Sequence, residues 1–116
     1  MGTLPSKKLA DLAAKGADNK KAENIEIIDV RKFSSICNYF VICSAESQPQ
    51  VTAIADGIDE ILIKNKIKPV PWQGKKDSDW MIQDLISVVV HVMGKKERGK
   101  YNLEELWGKR GIVYHV

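Results

Sequence analysis

The sequence is short of most things that mark a specialised class. Its 116 residues hold two cysteines and four prolines, and aromatic side chains make up 7% of the chain. Cys37 and Cys43 flank the apolar run NYFVIC; if that run is extended, their Cα atoms lie about 20 Å apart, far beyond disulfide reach. Both are expected as reduced thiols. No apolar run approaches the roughly 20 residues of a bilayer-crossing helix, and the longest candidate, Ile86 to Val92, has about seven and carries His91. The N-terminal MGTLPSKKLADLAAKG lacks the apolar centre of a secretory signal, and its lysines come with Asp11 and Asp18 but without arginine, unlike most organelle transit peptides. A cytoplasmic protein is the default expectation.

Neither sign of charge dominates. The net charge of +3 resides in residues 1–21, where Lys7, Lys8, Lys15, Lys20 and Lys21 face two aspartates, while the rest of the chain is balanced. Avid nucleic-acid binding usually needs a basic stripe over the fold itself. Nucleic acid is therefore not the first partner to expect, and the basic excess is confined to the lysine-rich N-terminal segment. With 44% hydrophobic and 28% charged residues, the composition is that of an ordinary globular protein. At this length one core is expected, so residues 1–116 read as a single domain.

Ser6 reads as the N-cap of a short amphipathic helix that Gly16 stops. IEIIDV (25–30) and NYFVIC (38–43) read as strands, the second central because it is apolar throughout. Ser47 then caps a long helix whose buried stripe runs through Val51, Ile54, Ala55, Ile58, Ile61 and Leu62 and stops before Lys68-Pro69. Beyond the irregular PVPWQG (69–74) and a charged loop, WMIQD and ISVVVHV form a hairpin. Asn102 and Glu105 resemble a capping box, which predicts a helical turn or two over 103–107 closed by Gly108, and GIVYHV makes a last strand. The expected fold class is α/β, with a single mixed central β-sheet flanked by helices.

Catalytic chemistry is hard to find. His91 and His115 are the two imidazoles, and both sit within apolar strand runs, where a half-buried, hydrogen-bonded histidine is the plain reading. No CxxC, HExxH, GxxxxGK[ST] or GxGxxG is present, and no paired strand carboxylates offer themselves to Mg²⁺. The junction CSAES (43–47), ahead of a helix N-terminus, can in principle present amides to an anion. What stands out is a set of large side chains near loops in the second half: Trp72, Trp80, Tyr101 and Trp107, with Met81, Met93 and Leu106. Singly these suit the edge of a core. Together they suggest the anchors of a protein interface.

The stretch DSDWMIQDLISVVVHVMGKKERGKYNLEELW (77–107) closely resembles the signature of the ribosomal silencing factor family, the Iojap-like proteins. It has a Trp with an Asp four residues on, a VVVHV strand, an Arg, and a Tyr-x-Leu-x-x-Leu-Trp ending. NYFVICSAES resembles the family's other hallmark, and the similarity spans about residues 7–108. Asn38 stands where the family usually has Asp, Gln73 where it has Glu, and Ile86-Ser87 where it has Gly-Asp. An Ile in place of that Gly predicts a different turn or register.

The resemblance implies a nucleotidyltransferase-like core without catalytic carboxylates, no enzyme activity and no cofactor or metal. It implies docking on the large ribosomal subunit through large-subunit ribosomal protein fourteen, which blocks subunit joining and represses translation, and a homodimer when free. The residues expected to meet the partner are Trp80, Met81, Asp84, His91, Arg98, Tyr101, Leu103, Glu104, Leu106 and Trp107. Trp80, Tyr101 and Trp107 would be apolar anchors; Asp84 and Glu104 would pair with basic groups; His91 would be a polar contact or a support. Lys7, Lys8, Lys15, Lys20 and Lys21 would add peripheral rRNA contacts. Two alternatives stand beside this: a nucleotidyltransferase-like enzyme using CSAES for phosphates, and an RNA-contacting ribosome-assembly factor.

Overall fold

A computed structural model describes residues 5–32, 34–35, 37–74, 79–100 and 112–115. Helix α1 (Ser6–Asn19) is followed by strands β1 (Glu23–Asp29) and β2 (Tyr39–Ala45), helix α2 (Gln48–Lys64), strands β3 (Trp80–Asp84) and β4 (Val88–Gly94), helix α3 (Lys95–Lys100) and strand β5 (Ile112–His115). The five strands lie in the order β3-β4-β2-β1-β5. β2 and β4 run parallel, and the other neighbours are antiparallel. The mixed α/β sheet expected from the sequence is thus present. The parallel pair forms because β2 and β4 are separated by α2 and β3, enough chain for a crossover, whereas β3 and β4 are joined by a tight turn.

Alternation along each strand gives the sheet two unlike faces. Ile25, Ile27, Tyr39, Val41, Cys43, Ala45, Met81, Val88, Val90 and Val92 form the larger core with Leu9, Ala13 and Ala17 of α1 and Val51, Ile54, Ile58 and Leu62 of α2. On the other face lie Ile28, Ile42 and Met93, with Val30 and Cys37 from the flanking loop and half-buried Phe40, Trp80 and Val89. Both cysteines are free thiols, as expected, and both are buried. Burial pushes the Cys43 thiol up to about 12, so it stays protonated and inert.

Two local expectations need correcting. Ser6 is the first helical residue, not the cap; Pro5 precedes it, and the Ser6 hydroxyl accepts a hydrogen bond from Asn38 Nδ2 at 2.7 Å. Gly16 does not stop α1. It lies within the helix where α1 crosses α2, and a Cβ there would meet Ile58 Cα at 2.8 Å and the Gly57 carbonyl oxygen at 2.9 Å. The glycine is there for close approach. At the hairpin turn Ile86 takes φ +72°. That turn is tied by Leu85 N to Val88 O at 2.8 Å and by Ile86 N to Asp84 Oδ1 at 2.9 Å.

The residues KKERGK form α3, an element without a hydrophobic stripe and hence without a periodic signal in the sequence. The helix expected over 103–107 lies outside the described residues.

Candidate docking face

Helices α1 and α2 both pack on one side of the sheet, and the alternate side chains of β2, β3 and β4 form its other face. Its cross-strand pairs follow from the register. Ile82 and Ile42 sit on either side of His91; Asp84 and Phe40 sit on either side of Val89; Trp80 pairs with Met93. Phe40, Trp80, Ile82 and Val89 are half-buried, whereas Ile42 and Met93 are sealed. The patch is apolar, and aromatic and β-branched side chains such as these suit a pleated, half-buried surface.

His91 lies at the middle of it and is 8% exposed. Trp80 Nε1 donates to His91 Nδ1 at 3.2 Å. The Phe40 and His91 rings meet edge to face with centroids 5.4 Å apart. Burial holds the imidazole down to about 4, so it is neutral at pH 7.

Of the residues expected to meet a partner, Trp80 and His91 are brought together on this face, and exposed Asp84 borders it at the hairpin end. Two others do not lie on the surface expected of them. Met81 points the opposite way, into the helix-covered core, because it is one residue out of phase with Trp80 on a strand whose side chains alternate. Arg98 is 7% exposed. Its guanidinium donates to the Asn24 carbonyl and to Ser44 Oγ at 2.9 Å and lies 3.6 Å from Glu26 Oε2. It fastens α3 to β1 and β2 and is no surface contact. Tyr101, Leu103, Glu104, Leu106 and Trp107 lie outside the described residues. Phe40, Ile82 and Val89 were missed by sequence reasoning, although period-two alternation through Trp80 and His91 picks out Ile82 and Val89; Phe40 joins them only through the pairing of β2 with β4.

Trp72 belongs elsewhere. Its Nε1 reaches both carboxylate oxygens of Asp59 at 3.1 Å, and Gln83 Nε2 donates to Asp59 Oδ1 and to the Val70 carbonyl, each at 2.9 Å. These bonds clamp the segment before β3 onto α2. Gln73 also exchanges backbone hydrogen bonds with Ile82 at 2.7 and 3.0 Å, which shields the outer edge of β3.

At the carboxyl ends of β2 and β4, where open α/β sheets place ligands, the structure brings two acids together that the sequence did not. Lys95 Nζ lies 2.8 Å from Glu23 Oε2 and also pairs with Glu46. Hydrogen bonds to both carboxylates raise Lys95 to about 12. An ammonium group thus fills the position between these acids. Among the described residues no cluster of three or more His, Cys, Asp or Glu side chains forms a candidate metal site.

Of the five N-terminal lysines, Lys7 pairs with Asp11 at 2.8 Å and Lys20 with Glu60 at 3.7 Å. Lys8, Lys15 and Lys21 are exposed.

Fold and face together define a layered α/β domain with α1 and α2 on one side of its sheet and, among the described residues, an apolar patch on the other. Residues 3–114 match the family described as "Ribosomal silencing factor during starvation", and the chain belongs to the ribosomal silencing factor family. It is 41% identical over 105 residues to ribosomal silencing factor RsfS of Bacillus subtilis, covering 90% of this chain and 89% of that protein. Over 95 residues it is 35% identical to chloroplastic Iojap of Zea mays, covering 82% of this chain and 41% of the maize protein. A crystal structure of a Chromobacterium violaceum protein, 28% identical, superposes with a TM-score of 0.84 over 90% of this chain and 88% of that one.

Proposed function

We propose that the protein binds the large ribosomal subunit through large-subunit ribosomal protein fourteen and blocks subunit joining, so that translation is repressed. The observation that carries this is the patch of Phe40, Trp80, Ile82 and Val89 around His91, on the side of the sheet away from α1 and α2. Half-buried aromatic and aliphatic side chains ringed by polar groups are the usual anchors of protein interfaces, and Asp84 at its border offers a charge to a basic partner. Membership of a family described as silencing factors supports the same reading. Lys8, Lys15 and Lys21 then add peripheral contacts to rRNA phosphates, and the free protein is a cytoplasmic homodimer.

The protein acts as a steric blocker, not an enzyme. The Lys95 bridge between Glu23 and Glu46 supports this over the nucleotidyltransferase alternative, because those acids are already neutralised by a side chain. The decisive experiment is subunit association followed by light scattering. Saturating protein should suppress joining, and Trp80→Ala should restore it while the fold persists by circular dichroism. Normal joining in the presence of saturating wild-type protein overturns the proposal.

A further inference from the structure

His91 has two ring nitrogens, and the structure accounts for one. The indole Nε1 of Trp80 is a donor only, so its 3.2 Å contact with Nδ1 requires Nδ1 to be the unprotonated acceptor. The proton of the neutral ring then resides on Nε2. That nitrogen makes no hydrogen bond within the described residues. It is also absent from the sealed side-chain atoms lacking a partner, which are Glu26 Oε2 and Gln83 Oε1. Nε2 is therefore the ring nitrogen left without a partner among the described residues. Around it the cross-strand neighbours Ile82 and Ile42 are aliphatic, and Phe40 packs against the ring.

We infer that His91 is the specificity-determining polar group of the docking face: Trp80 locks its imidazole in the Nε2–H form, and the docked partner places an uncharged carbonyl oxygen on that N–H. This rests on the docking reading above. A single donor surrounded by apolar side chains rejects a partner that presents only aliphatic groups, because covering an unpaired N–H costs more than the hydrogen bond contributes. The acceptor is uncharged because a carboxylate buried against a neutral donor and aliphatic neighbours would lose its hydration without a compensating cation. The neutral state of the imidazole, held by burial, agrees with this. Trp80 thus has two duties on the face, an apolar anchor and a positioning residue acting through His91.

The test has two arms. In the first, nitrogen-15 NMR of the histidine ring at pH 7 in the free protein should show the Nε2–H form alone in wild type, and a mixture of the two forms in Trp80→Phe. A mixture in wild type overturns the inference without any partner. In the second, binding to isolated large subunits is measured for wild type, Trp80→Phe, His91→Phe and the double variant. His91→Phe, which removes the donor, should weaken binding roughly 10-fold; Trp80→Phe, which leaves part of the population in the Nε2–H form, should weaken it by less, and the double variant should be no weaker than His91→Phe alone, because no donor is then left to position. Losses that multiply, or wild-type affinity in both singles, overturn the inference and leave docking intact. If wild type itself fails to bind, the docking reading falls and takes this inference with it. Trp80→Phe keeps the aromatic ring, so it remains informative even if His91→Phe does not fold.

Discussion

The guanidinium of Arg98 donates to the Ser44 hydroxyl at 2.9 Å, which ties the start of the C-terminal third to the second strand of the sheet. The cation also lies 3.6 Å from Glu26 Oε2 on β1, with the side chains only 8% and 14% exposed. Removing one partner of a buried ion pair is costly, since the other keeps its desolvation penalty. Arg98→Met should destabilise the fold by about 3 kcal/mol, and adding Glu26→Gln should recover part of that loss. Urea unfolding of the two variants checks it; a double variant as unstable as the single one would show that the pair is not coupled.

Acid should weaken the fold through His91. Its ring stays neutral down to about pH 4, whereas in the unfolded chain it takes up a proton below 6.5. The unfolded state binds the extra proton between those values, so stability present above pH 6.5 is lost as pH falls towards 4. The loss from this group between pH 7 and 4.5 is on the order of 2–3 kcal/mol. His91→Phe should lose less over the same interval by that amount, while the carboxylates titrate alike in both proteins. Parallel stability curves for the two would refute the assignment.

Ile86 holds φ +72° with 81% of its surface exposed, so it carries backbone strain and gains little from burial. A left-handed conformation costs an L-residue roughly 1–2 kcal/mol, and glycine avoids that cost but gives back part of the benefit in chain entropy. Ile86→Gly should therefore stabilise the protein by about 1 kcal/mol. A melting temperature that is unchanged or lower would show that the isoleucine is not strained in solution.

At the α1–α2 crossing the opposite sign is expected. Alanine is the better helix former by about 1 kcal/mol, but the added Cβ at Gly16 meets backbone atoms of Ile58 and Gly57 within 3 Å. Gly16→Ala should destabilise by about 1–2 kcal/mol net. Thermal unfolding decides between propensity and packing.

Much of this fold was legible in the residues. β2 and α2 announce themselves through an unbroken apolar run and a buried stripe capped by Ser47, whose hydroxyl accepts from Gln50 N at 3.4 Å. What could not be read was anything set by a distant neighbour. Gly16 looked like a stop because its reason, the backbone of α2, lies far along the chain. Arg98 looked like a surface contact because a charge with no visible partner reads as exposed, and its partners Ser44, Asn24 and Glu26 come from other strands. Met81 was grouped with Trp80 by proximity in sequence, although strand alternation sends the two to opposite sides. The family resemblance was readable from residues 77–107, and the match over residues 3–114 bears it out.

The placement of α2 also gives a practical handle. Asp56 on α2 is exposed, and the helix that carries it packs on the side of the sheet away from Trp80 and His91. A fluorophore or surface tether attached at Asp56 would leave the opposite side presented to solution. Immobilised this way, the protein could be probed by any ribosomal particle without the label standing between them.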